Sequence, residues 1–279
     1  MFSFFNNRKL LIATAHGKEE VLAPVMTSLG MQCFVTLDFN SDEFGTFSGE
    51  VKRHVDALSA ARLKNIAAFE RYGIDLVLTS EGSFGPHPDA FFVHADEEIL
   101  LLKDFKNAIE IKAIEISIET NFNGTYCENI NELFEFAKQA KFPSHGLILR
   151  EQPDSEQLLF KGLRSWDKVL TAFNYLKNKT DKVYVETDMR AMHNPTRMNV
   201  IKQAAIKLSE KILSVCPVCQ HPGYAITNVI PGLPCGRCGL PTRSPKAFLK
   251  QCLHCDFKEE LPEKNKTSED PMFCDFCNP

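Results

Sequence analysis

Four Cys-x-x-Cys pairs, Cys216/Cys219, Cys235/Cys238, Cys252/Cys255 and Cys274/Cys277, crowd the last 64 residues of this 279-residue chain, and only Cys33 and Cys127 lie outside that stretch. A Cys-x-x-Cys places two thiols on one tight turn, from which both sulfurs reach a single metal at about 2.3 Å. Two such turns close a tetrahedral S4 site, so four pairs make two sites, and zinc suits four thiolates. The gaps between pairs are 15, 13 and 18 residues, spacings found in zinc ribbons, where each knuckle caps a short hairpin. The expectation is two structural zinc ions. Sequential sharing, first pair with second and third with fourth, is preferred. Crossed and nested sharing stay open, the nested form because Cys235 through Cys255 reads as a self-contained ribbon. His221 and His254 are read as bystanders: eight sulfurs fill both sites, no position is left for water, and chemistry at these metals is not expected.

A disulfide scaffold would need an oxidising compartment, yet the apolar run Leu10–Ala13 is too short for a signal peptide. No apolar stretch reaches the roughly 20 residues of a membrane span. A cytoplasmic protein with no membrane partner is expected. The tail carries seven Lys/Arg against seven Asp/Glu, so the net charge of −4 belongs to residues 1–215. That balance argues against holding nucleic acid by bulk charge. The chain is expected to divide into an α/β ligand-binding or catalytic domain, 1–215, and a zinc-ribbon domain, 216–279.

Within 1–215, apolar runs suited to strands (9–14, 31–37, 75–79, 146–150, 183–186) alternate with helical periodicities (19–29, 57–72, 130–140, 165–176, 196–213). Residues 99–103 and 109–120 read as a hairpin joined near Lys106-Asn107, with Ile109, Ile111, Ala113, Ile114, Ile116 and Ile118 facing inward. The predicted fold is α/β: a mixed, mostly parallel sheet with helices on both faces, plus a small C-terminal double zinc-ribbon domain.

Ligands of open α/β sheets bind outside the carboxyl ends of the strands, and four segments at such ends are polar. Thr14 to Glu19 ends a strand in Gly17-Lys18, an ammonium beside helix N–H groups that suits phosphate. Asp42 to Glu50 contains small residues with Phe44 and Phe47 available for stacking. Ser80-Glu-Gly-Ser-Phe-Gly-Pro-His87 brings together a carboxylate, Glu81, able to hold Mg²⁺ or act as base, a Gly82–Ser83 anion nest, and His87. Glu186 to Arg197 supplies Asp188 with Arg190 and Arg197 as an anion clamp, and Asn194-Pro195 as a helix start. Lys161 adds a single basic residue beside Gly162. Each segment also has an ordinary reading: a βα turn, a flexible loop, a tight glycine turn, a capped helix with internal Arg–Asp pairs.

Residues Ala13–Glu19, Phe44–Glu50, Ser80–Pro88, Thr187–Ala191, Asn194–Met198 and the tail ending Cys277-Asn-Pro resemble an uncharacterised bacterial family, domain of unknown function 6671, over nearly the whole chain. Residues 9–120 are also similar in element order to the inosine/xanthosine triphosphatase and Maf-like nucleotide pyrophosphatases. That second resemblance implies that Lys18 is a phosphate ligand and Glu81 a Mg²⁺ ligand or base. The chain departs where that family has a metal-binding Glu near the start of its second helix; Leu58-Ser-Ala-Ala-Arg62 stands there, with Glu50 or Asp56 as substitutes.

The expected function is binding of a phosphorylated small molecule, nucleotide-like, with Mg²⁺-assisted attack of water on a phosphoanhydride. Glu81, Asp188 and His87 would be catalytic; Lys18, Gly82, Ser83, Lys161, Arg190 and Arg197 would bind. The alternative is a non-enzymatic module whose ribbons contact nucleic acid or protein, with Arg243, Phe248 and Lys250 as a local patch and the α/β domain as sensor or scaffold.

Overall fold

The computed structural model describes residues 4–14, 16–36, 38–39, 55–153, 155 and 157–279. The segment 42–50, with Phe44, Phe47 and Glu50, lies outside them. The chain divides into two compact units, Met1–Ser209 and Glu210–Pro279.

The first unit opens with β1 (Lys9–Ala13), α1 (Glu19–Ser28), β2 (Gln32–Phe34), α2 (Ala57–Tyr72) and β3 (Leu76–His87). Helical connections let β1 pair in parallel with both β2 and β3. Asp56 caps α2 by accepting from Ser59 N at 3.0 Å, and Gly73, at φ 65°, ends it. β4 (Ala90–Asp104) and β5 (Ile109–Ser117) complete an antiparallel meander, giving the order β2-β1-β3-β4-β5. Asp104 shapes the β4–β5 turn by accepting from Lys106 N and Asn107 N.

A second sheet follows from β6 (Gly124–Cys127), α3 (Ile130–Gln139), β7 (Leu147–Arg150), β8 (Phe160–Leu163), α4 (Trp166–Lys177) and β9 (Val183–Thr187), in the order β6-β9-β7-β8 with every pair antiparallel. Leu133, Phe136, Val169, Phe173 and Leu176 of its helices bury against Leu147, Leu149, Val183 and Val185. α5 (Pro195–Leu213) closes the unit.

The expectation of one mostly parallel sheet is therefore corrected: the unit is mixed α/β, but its described residues form two sheets, and among them only the β1 pairings are parallel. Alternation of strand and helix does not dictate direction. β6–α3–β7 is a crossover whose strands are split by β9, which arrives later and inserts antiparallel between them. A second correction concerns 80–87, read as a loop beyond a short strand. It is the continuation of β3, paired with β4 through Glu81↔Ile99, Gly82↔Glu98 and Ser83↔Glu97. Its polar side chains meet buried partners, so no apolar alternation announces the strand.

The second unit is a three-stranded antiparallel meander, β10 (Ala225–Pro231), β11 (Pro245–Gln251) and β12 (Lys258–Pro262). No helix among the described residues is long and apolar enough to cross a membrane.

Candidate functional site

The cysteines gather into two sets of four, Cys216/Cys219/Cys252/Cys255 and Cys235/Cys238/Cys274/Cys277, each with its sulfurs within 4.8 Å of one another. Between knuckles, sulfurs stand 3.6 Å apart in the first set (Cys216–Cys255 and Cys219–Cys252) and 3.7 and 3.9 Å apart in the second (Cys238–Cys274 and Cys235–Cys277). Four sulfurs at about 2.3 Å from a central ion stand about 3.8 Å apart in a tetrahedron, so both sets have the dimensions of a metal site. The sharing is crossed, and the expected sequential sharing is corrected, as is the nested ribbon. The meander supplies the reason. The start of β10 and the β11–β12 turn lie at one end of an antiparallel sheet, and the β10–β11 turn and the end of β12 at the other. Pairs one and three meet at the first end, pairs two and four at the second.

Within the knuckles, amides aim at the sulfurs: Val218 N donates to Cys216 Sγ, Arg237 N to Cys235 Sγ and His254 N to Cys252 Sγ at 3.3–3.4 Å. Amide donors from Cys238 and Arg237 bring the Cys235 thiol down to about 7, which favours the thiolate a metal needs. The His221 and His254 rings stack 3.4 Å apart beside the first set and form with Cys219 a third group of ligand atoms. Four sulfurs already complete the neighbouring tetrahedron without them.

In the first unit, His16 and Gly17 adopt left-handed φ of 69° and 72° and turn Lys18 inward at the start of α1. Its side chain is buried, and Nζ donates to Ser80 Oγ at 3.0 Å. Burial, then the nearby Arg197 guanidinium, pushes the Lys18 ammonium down to about 8. Strand alternation sends Ser80 and Gly82 to one face of β3, and Glu81 and Ser83 to the other. On the Glu81 face, α2 lays down Lys64, which pairs with Glu81, and Asn65, which donates to Thr79 Oγ1 at 2.7 Å.

On the Ser80 face stand Asp96 and Glu98 of β4. Arg197 of α5, fully buried, donates through Nε to Glu98 Oε1 at 2.5 Å and through Nη1 to the Met189 carbonyl at 2.5 Å, with its guanidinium over the Phe84 ring. Asp96 is buried, and neither of its carboxylate oxygens has a hydrogen-bond donor. Desolvation, then the Glu98 charge, lifts its carboxyl to about 8. Asn194 caps α5 by accepting from Arg197 N at 3.0 Å.

The structure thus brings Lys18, Gly82 and Arg197 together, with Glu81 across the strand and Ser83 half-buried on Glu81's side. Asp188 accepts from Arg190 Nε (3.0 Å), Nη2 (2.6 Å) and N (3.1 Å) and from Gly162 N (3.0 Å), so these two residues hold each other. Lys161 is exposed on β8 beside Gly162. His87 lies six residues along β3 from Glu81, about 20 Å at strand rise, and takes no part in the cluster. Lys64, Ser80, Asp96 and Glu98 belong to the cluster without having been assigned a role from sequence. Asn65 and Lys64 at buried positions of α2 were the available signal; Asp96 and Glu98 needed the register of β4.

The described residues do not fit a resident Mg²⁺. Asp188 is saturated by Arg190 and Gly162, Glu81 is paired with Lys64, and among the described residues every group of three or more close ligand atoms contains cysteine. A cleft of about 420 Å³ is lined by Gly17, Glu20, Met192, Pro195, Asn199 and Lys202, and none of the cluster residues lines it.

No curated protein and no solved structure matches the chain. A family model described as a domain of unknown function, DUF6671, matches residues 64–279, from α2 through both tetracysteine sets, and the chain belongs to that family.

Proposed function

We propose that the unit Met1–Ser209 binds a phosphorylated small molecule of nucleotide type and hydrolyses a phosphoanhydride bond in it. The observation that carries this reading is the buried cluster of Lys18, Ser80, Glu81, Asp96, Glu98 and Arg197 at the carboxyl end of β1. A buried ammonium and a buried carboxyl that both titrate at about 8 are suited to proton transfer near neutrality. In this reading Lys18 and Arg197 neutralise phosphate charge, Glu81, across β3 and paired with Lys64, tunes the charge around Lys18, and Mg²⁺ enters as the counterion of the nucleotide. Arg190, held by Asp188, steadies the segment whose Met189 carbonyl anchors Arg197.

A panel of Mg²⁺–nucleoside triphosphates tests it. Phosphate or pyrophosphate release from at least one member is expected, with Lys18→Met slower by about 100-fold or more. A panel with neither turnover nor a thermal shift overturns the reading.

The fold reading that accompanies it has helices on both faces of the first sheet, and zinc ribbons, each holding one structural zinc ion, in a cytoplasmic protein. A second reading assigns the tail to nucleic-acid or protein contact. Val218, Leu253 and Phe276 at the knuckle tips, 65%, 66% and 72% exposed, favour it. An electrophoretic shift with RNA or DNA at physiological salt supports the nucleic-acid form, and its absence counts against it.

A further inference from the structure

Glu81 is the residue that sequence motifs single out, yet its neighbour Ser80 has the more unusual surroundings. β1 pairs with β3 only as far as Ala13↔Thr79, so Ser80 is the first residue of β3 beyond the end of β1. The left-handed turn at His16 and Gly17 carries Lys18 across that end. Lys18 Nζ and Ser80 Oγ lie 3.0 Å apart with both residues buried, 4% and 3% exposed. Among the described residues, each is the other's only side-chain hydrogen-bond partner, and Lys18 has no carboxylate within ion-pair distance. A buried lysine with no carboxylate in direct contact, and with the Arg197 cation outweighing the more distant Glu98 and Glu81, is pushed toward its neutral form, and neutral lysine bonded to a serine hydroxyl is the arrangement that activates serine as a nucleophile.

We propose that Ser80 is the nucleophile of this site and Lys18 its general base, so that turnover passes through a phosphoserine ester. The substrate class rests on the phosphoanhydride reading above. Ser80 Oγ gives its proton to Lys18 Nζ and bonds to phosphorus. The bridging P–O bond breaks, and the phosphate leaving group departs as an anion that needs no proton. Lys18, now an ammonium, faces the charge on phosphorus. Lys18 passes that proton to solvent, takes another from the water that attacks phosphorus, and returns it to Oγ as the Oγ–P bond breaks. Burial, reinforced by Arg197 and Lys64 and opposed by Glu98 and Glu81, holds Lys18 at about 8, where a useful neutral fraction exists at physiological pH.

The test uses the full-length protein and a fluorophosphonate, which forms an Oγ–P bond with loss of fluoride, with Ser80 followed by peptide mass spectrometry from pH 6 to 10. One adduct on Ser80 is expected, at a rate that rises with pH through about 8. Ser80→Ala should lose it. Lys18→Arg, which keeps the cation and removes the base, should form it about 100-fold more slowly. Absence of an adduct on Ser80, or equal rates in the native and Lys18→Arg proteins, overturns the assignment. Should Lys18→Arg fail to fold by circular dichroism, the native profile decides, and a rate independent of pH overturns it. Labelling needs no natural substrate, so the two proposals fail separately. An adduct on Ser80 with no nucleotide turned over sinks the substrate class alone, and turnover by Ser80→Ala sinks the nucleophile alone.

Discussion

Gly82 has no room for a side chain. A Cβ there would stand 2.5 Å from Arg197 Nη2 and 2.6 Å from Glu98 Oε1, and neither side chain can yield, since both are buried in one ion pair. Glycine is required so that Arg197 and Glu98 can meet across β3, a different reason from the anion nest that its sequence context suggests. Gly82→Ala should destabilise the protein by about 1–3 kcal/mol, read from the shift in a urea midpoint. Gly85→Ala, where nothing lies within 4 Å of the added carbon, should leave that midpoint nearly unchanged. Equal effects would remove the close-approach argument. Lys18, Glu81, Asp188, Arg190 and Arg197 could be picked from sequence because motifs surround them. Their partners could not: Asp96 and Glu98 sit in the run His94-Ala-Asp-Glu-Glu98, which reads as a solvated edge until Leu100 and Leu102 fix the buried face of β4.

Elements were legible to different degrees for a physical reason. α2 carries both of its end signals locally, Asp56 at the start and Gly73 at the stop, so its bounds can be read without tertiary information. The far half of β3 cannot, because its strand state comes from pairing with β4 while its side chains look like those of a turn. The cysteine pairs behave the same way. Each knuckle is a local turn, but which two share an ion depends on strand order. Crossed sharing predicts the outcome of double substitutions. Cys216→Ser with Cys252→Ser should remove one bound ion of two, whereas Cys252→Ser with Cys274→Ser should remove both, measured as metal per chain by elemental mass spectrometry. The reverse pattern would restore sequential sharing.

At the scale of the whole chain, the two units are held by different forces. Unit Met1–Ser209 has apolar clusters built on both sheets. In unit Glu210–Pro279 the buried apolar side chains, beyond four cysteines, are only Ile212, Pro222, Tyr224, Leu233 and Ala247 among those described, too few to stabilise 70 residues without the metal sites. Metal binding to such a unit supplies its folding free energy. A strong chelator should therefore open residues 216–279 to limited proteolysis while the first unit stays resistant, read by mass of the fragments. Protection unchanged after loss of the metal would contradict this. From sequence alone it could be determined that the tail carries eight cysteines spaced as metal knuckles and that five helices alternate with strands, because these follow from spacing and short-range periodicity, and the motifs pointed to the family. The tertiary structure alone decided the strand directions, the crossed sharing, and the meeting of Lys18 with Ser80 and of Arg197 with Glu98. Those contacts join residues 62 and 99 positions apart, and no local pattern records a partner at that distance.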